Sequence, residues 1–164
     1  MWQRPHGGSG SLTPSEPTAA AQTLKFQQLQ TTPRTGWVRS GVQQPESVAD
    51  HMYRMAVLAM TVAGGEYDHS KLVKMAIVHD LAEALVGDIA PSDNVPETEK
   101  HAREARALEE MLTALGANTA AAHEMRALWC DALWNNEIAA NPACSGGRST
   151  INAACTQLFD LEPE

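Results

Sequence analysis

Aromatic residues are scarce in this sequence. Two Phe, two Tyr and four Trp make up 5% of 164 residues, and the β-branched residues are scattered. Sheets draw heavily on those two classes, whereas Ala, Leu and Met, which dominate the apolar residues here, favour helix. A β-rich fold is therefore not expected. Basic residues are also few, 12 Lys and Arg against 20 Asp and Glu, for a formal charge of −8. Affinity for a phosphate backbone needs a basic surface, so a general nucleic-acid binder is excluded. A small anionic substrate is not, because one cation and two arginines can reverse the field inside a pocket. Cys130, Cys144 and Cys155 are odd in number and form no CxxC. Neither a disulfide framework nor a zinc site is expected, and a reducing compartment fits best. No apolar run approaches the roughly 18 residues that would mark a membrane span. Residues 1–23 lack the apolar stretch of a secretory signal and are too poor in Arg for an organelle presequence, so a cytoplasmic or nuclear location is expected.

Residues 1–22 are rich in Gly, Ser, Pro and Thr and read as a disordered tail. The domain itself is expected over 23–134, and 135–164 has no sustained period and reads as an irregular tail. Within the domain, 24–30 is a short amphipathic segment ended by Pro33, and 33–42 reads as a loop with turn signals at Gly36 and Gly41. A first strong helix starts near Ser47, where Ser47-x-x-Asp50 resembles a capping box. Val48, Met52, Met55, Ala56, Ala59, Val62 and Ala63 follow at helical spacing until Gly64-Gly65. A second helix runs from about Ser70 to Gly87, with Leu72, Val73, Ala76, Ile77 and Ala84 on its buried side. After an irregular loop at 87–96, Pro96 suits the first turn of a third helix, whose later apolar positions are Ala105, Leu108, Met111, Leu112 and Leu115. A fourth starts at Asn118 and carries Ala122, Met125, Trp129 and Leu133. The architecture implied is an all-α bundle of about five helices.

His79 and Asp80 interrupt an apolar stretch, MAIVHDLAEALVG. An imidazole and a carboxylate buried in such a turn are costly unless something pairs them. Histidine nitrogens with a carboxylate oxygen suit a divalent ion. Glu83 is four residues after His79 and shares its helix face, Asp88 lies just past the helix end, and His51 opens the first helix. Each feature alone has an ordinary structural explanation. Their conjunction on consecutive helices points to a metal site.

The strings PESVADHMYRMAVLAM and MAIVHDLAEALVGDIAPSDNVPETEKHAREARALEEM resemble the HD-domain 5′-deoxynucleotidases, in particular the eukaryotic HD domain-containing protein 2 branch. The pattern H…HDxxE…GDIxPxDN with an upstream RTGW covers Leu24 to Trp129, about two-thirds of the chain. The resemblance implies an HD helical fold, usually dimeric, that uses a divalent ion (Mn2+, Co2+ or Mg2+) to hydrolyse deoxyribonucleoside 5′-monophosphates. Carried over by position, it makes His51, His79 and Asp80 metal ligands and Glu83 and Asp88 acidic groups at the reaction site. It places Arg34 and Trp37 at the phosphate and sugar. Glu83 and Asp88 can orient water or protonate the leaving group; alternatively, with the Ile89 carbonyl, they can hold a second ion.

The resemblance fails beyond Trp129. The family closes its site with an aspartate in a context like AKFVKQLD, which this sequence lacks. Asp131 comes too early for it, and Asp160 lies four residues from the end. Two expectations follow. One is a 5′-deoxynucleotidase weakened by a missing ligand. The other is an inactive homologue that works by binding a protein partner.

Overall fold

The computed structural model describes residues 19–61 and 68–132. Among them are seven α-helices: α1 (Ala19–Thr31), α2 (Thr35–Arg39), α3 (Val48–Thr61), α4 (His69–Val78), α5 (Glu83–Val86), α6 (Glu97–Ala114) and α7 (Ala120–Ala132). A 3-10 turn occupies Pro91–Asp93, and no strand occurs among the described residues. The fold is the expected all-α bundle. Of the tail expected over 1–22, residues 19–22 instead belong to α1, which begins at Ala19; 1–18, the tail expected over 135–164, and Val62, Ala63 and Leu133 lie outside the described residues.

α3 starts where the capping box predicts. The Asp50 amide donates to Ser47 Oγ at 3.1 Å and the Ser47 amide donates to Asp50 Oδ2 at 3.2 Å. Its Val48, Met52, Met55, Ala56 and Ala59 are buried, and His51 lies on the same side. α3 packs on α4, and α4 on α7; α1 lies against α3 and α5, and α6 against α5 and α7. Leu72, Met75, Leu108, Met111, Leu112 and Trp129 fill the space between them.

The second helix departs from its expected course in two ways. Ile77 is half exposed, and Met75 and Val78 are buried in its stead. At ~100° per residue, position 77 lies ~140° round the axis from Leu72, on the solvent side. The helix also ends at Val78 instead of continuing to Gly87. The Leu81 amide donates to the Val78 carbonyl and the Glu83 amide to the Asp80 carbonyl, so the chain tightens through 79–82 before α5. His79 and Asp80 therefore sit in a turn at a helix end, not within a continuous helix.

The 33–42 segment contains α2 where only a loop was expected. It is tied to the start of α3 by an antiparallel bridge between Pro33 and Ser47. The Arg34 amide donates to the Glu46 carbonyl at 3.0 Å and the Val48 amide to the Thr32 carbonyl at 2.9 Å. Pro96 occupies the N-cap of α6 and not its first turn. Cys130 is buried on α7, and Cys144 and Cys155 lie outside the described residues.

Candidate metal centre

α3 and the end of α4 bring His51, His79 and Asp80 together, with one ligand atom from each lying within 4.8 Å of the others. His51 Nε2 is 3.2 Å from His79 Nε2, and Asp80 Oδ2 is 3.0 Å from His79 Nε2 and 3.5 Å from His51 Nε2. His79 Nδ1 is 2.9 Å from the Ala76 carbonyl oxygen. A carbonyl only accepts, so Nδ1 donates to it, and Nε2 is the nitrogen that faces the cluster. Both histidines are buried. Burial opposes ionisation of Asp80, but His79, Arg34 and His51 outweigh it and hold the carboxyl well below its usual range. Two imidazole nitrogens and a carboxylate oxygen converging without an apolar group between them fit a divalent ion.

A second layer surrounds this set. Arg34 Nη1 lies 3.3 Å from Asp80 Oδ2 and 3.5 Å from Asp88 Oδ1, bridging the two carboxylates. Asp88 is itself fastened to the start of α2: its Oδ2 accepts the Thr35 amide at 2.7 Å, and its carbonyl accepts the Thr35 hydroxyl at 2.7 Å. Ile89 follows it, half-buried. Glu83, at the first position of α5, is buried, and its Oε2 has no hydrogen-bond partner among the described residues. Burial, reinforced by the Asp80 and Asp88 carboxylates, pushes its carboxyl up to about 10. In the protein alone Glu83 is thus a neutral acid at pH 7.

Trp37 is partly buried and donates its indole N–H to Glu46 Oε1 at 3.2 Å. Arg54 forks onto the same carboxylate, Nη2 to Oε1 at 2.7 Å and Nε to Oε2 at 3.2 Å. Arg39, by contrast, pairs with Asp93. Asp131 on α7 pairs with Lys71 at 2.6 Å and makes no described contact with the histidines.

Two residues of this region were not singled out from sequence. Glu104 on α6 is buried with Lys100 at 3.7 Å. Burial raises its carboxyl to about 7; Lys100 opposes this, and Asp80 and Asp88 add to it. The signal was present, since 104, 107, 108, 111 and 112 form one helical stripe and Glu104 is its only charged member. Glu46 left no comparable signal, because its contacts depend on the bridge that joins 33 to 47.

The HD domain family matches residues 26–137, and the chain belongs to that family. Human 5′-deoxynucleotidase HDDC2 is 55% identical over 84 residues, which cover 51% of this chain and 41% of the human protein. The 5′-deoxynucleotidase hdd1 of Schizosaccharomyces pombe is 50% identical over 80 residues, covering 49% of this chain and 40% of its own. The chain thus spans about two-fifths of the length of the curated relatives it matches. Among solved structures, a conserved hypothetical protein from Pyrococcus furiosus superimposes with a TM-score of 0.50 at 27% identity, covering 87% of this chain and 94% of that one.

Proposed function

We propose that this chain is a metal-dependent phosphohydrolase that releases phosphate from deoxyribonucleoside 5′-monophosphates. The observation that carries the reading is the convergence of His51 Nε2, His79 Nε2 and Asp80 Oδ2 within 4.8 Å, beside a buried neutral carboxylic acid. The likeness to curated 5′-deoxynucleotidases supports the substrate class.

In this reading His51, His79 and Asp80 hold a divalent ion, Mn2+, Co2+ or Mg2+. When bound, such an ion neutralises phosphate charge and acidifies water. Arg34, which spans Asp80 and Asp88, turns its fork to the phosphate and supplies directed positive charge as the substrate enters. Trp37, fixed through its indole N–H, presents its ring to the sugar. Water attacks phosphorus, the bond from phosphorus to the 5′-oxygen breaks, and the departing oxygen takes a proton. Glu83 is suited to give that proton, because burial and the neighbouring carboxylates raise its carboxyl and favour the protonated form. Such acid catalysis contributes on the order of 10²–10⁴-fold. Asp88, with one oxygen already accepting the Thr35 amide, anchors the Arg34–Trp37 segment over the site. An alternative use of Glu83, Asp88 and the Ile89 carbonyl is to hold a second, magnesium-like ion. A homodimer and a cytoplasmic or nuclear location complete the proposal.

The engagement of Asp131 with Lys71 favours a second reading. With three ligands among the described residues where the resemblance implies four, the chain in this reading is a catalytically inactive homologue that acts by binding a protein partner. Phosphate release from deoxyribonucleoside monophosphates, measured with added Co2+, Mn2+ or Mg2+, separates the two. The first reading expects turnover that His79→Ala abolishes. Folded, metal-loaded protein that releases nothing above background would overturn it and leave the second.

A further inference from the structure

His51 has two ring nitrogens with different tasks. Nε2 faces His79 and Asp80, while Nδ1 faces outward, 3.2 Å from Arg54 Nη2 and 3.8 Å from Glu46 Oε1. These two outward neighbours make opposite demands. Arg54 only donates, so a hydrogen bond from it requires a bare Nδ1 and places the proton of a neutral ring on Nε2, where it blocks ligation. Glu46 only accepts, so it requires the proton on Nδ1 and leaves the Nε2 lone pair to the cluster. Both are in place at once because Glu46 and Arg54 grip each other through two hydrogen bonds.

We propose that Glu46 is the positioning residue of the metal centre: its carboxylate takes the Nδ1–H of His51 and so presents Nε2 to a divalent cation, in competition with Arg54. The inference rests on the reading of His51, His79 and Asp80 as the ligand set. The exchange moves one proton from Nε2 to Nδ1 and leaves the neutral imidazole neutral. No oxidant, reductant or net proton is required.

Glu46 is well placed for this task. Its main chain is clamped by the bridge between Pro33 and Ser47 and by the Arg34 amide on its carbonyl. Its Oε1 also accepts the Trp37 indole. One carboxylate therefore joins the outer side of a metal ligand to the residue assigned to the sugar. His79 Nδ1 has its acceptor in the Ala76 carbonyl at 2.9 Å, whereas Glu46 Oε1 stands 3.8 Å from His51 Nδ1, a gap the proposed exchange closes.

The test compares Mn2+ affinity by titration calorimetry in the full chain, in Glu46→Gln and in Arg54→Met. The glutamine is isosteric, but its amide N–H can donate to Nδ1 and favour the blocked tautomer. Glu46→Gln is expected to bind Mn2+ roughly 10–100-fold more weakly. Arg54→Met removes the competitor and leaves affinity unchanged or tighter. Both variants lose the Glu46–Arg54 fork, so a purely structural role predicts that both weaken alike, and that result overturns the proposal. Glu46→Gln binding as tightly as the unmutated chain overturns it too.

A measurement without any variant guards against misfolding. Nitrogen-15 shifts of the His51 ring should report the proton on Nε2 in chelated protein and on Nδ1 with saturating Mg2+. Finding it on Nδ1 in both overturns the competition with Arg54. If the unmutated chain binds no Mn2+, the ligand-set reading fails first and this inference with it.

Discussion

Glu104 is a single carboxylate placed where its helix needs an apolar residue, and that placement gives stability a pH dependence. Its carboxyl is raised to about 7 in the folded chain from an ordinary value of 4.5. Below the ordinary value both folded and unfolded states hold the proton, and the group costs nothing. As pH rises above 4.5 the unfolded chain ionises first, so folding becomes less favourable until the folded carboxyl also ionises near 7. Glu104→Gln removes this slope. In the presence of a chelator, the variant should gain up to ~2–3 kcal/mol over the unmutated chain between pH 5 and pH 8. Urea unfolding at the two pH values reads the difference, and identical slopes would refute the account. The residues of the centre were largely visible in sequence because polar groups in an apolar stretch stand out, as His79 and Asp80 do. Glu46 lies in polar surroundings and Arg54 on a partly exposed side of α3, and both gain their significance only from contacts made by folding.

At the scale of elements, the turn from His79 to Asp88 decides the geometry of the centre. Hydrophobic period read α3 and α6 well, because each buries one stripe along its length. It failed at the end of α4, since the apolar residues continue through 81–86 while the backbone tightens at 79–82. Periodicity reports burial, and a buried turn looks like a buried helix. Gly87 then ends α5 with φ +76 and ψ 169, a region essentially restricted to glycine. No atom stands within 4 Å of where a Cβ would sit, so the constraint is the backbone itself. Gly87→Ala should cost ~1–3 kcal/mol in chemical unfolding. It should also shift Asp88 away from Thr35 and raise KM more than it lowers kcat, because the Arg34–Trp37 segment loses its anchor. A stable variant with unchanged KM would show that Asp88 does not depend on this turn.

For the whole molecule, the consequence of the site is a link between cation binding and stability. Burial raises the Glu83 carboxyl, the crowding Asp80 and Asp88 raise it further, and Arg34 offsets only part of this. A divalent ion held as proposed by His51, His79 and Asp80 would relieve that crowding in the folded chain alone, because unfolding separates α3 from α4 and disperses the ligands. A ligand confined to the folded state stabilises it by RT ln(1 + [L]/Kd), ~2.7 kcal/mol at one hundred times Kd. For a helical unit of this size that corresponds to a rise in Tm on the order of 10 °C. Adding Mn2+ to chelator-treated protein should therefore raise Tm, and EDTA should reverse the rise. His79→Ala should abolish it while its own cation-free Tm is recorded as the reference. The concentration at which the rise begins also reports Kd, and so measures how firmly the ligand set is held together. An equal rise in His79→Ala would place the cation elsewhere on this acidic chain, and with it would go the case for the centre as a metal site.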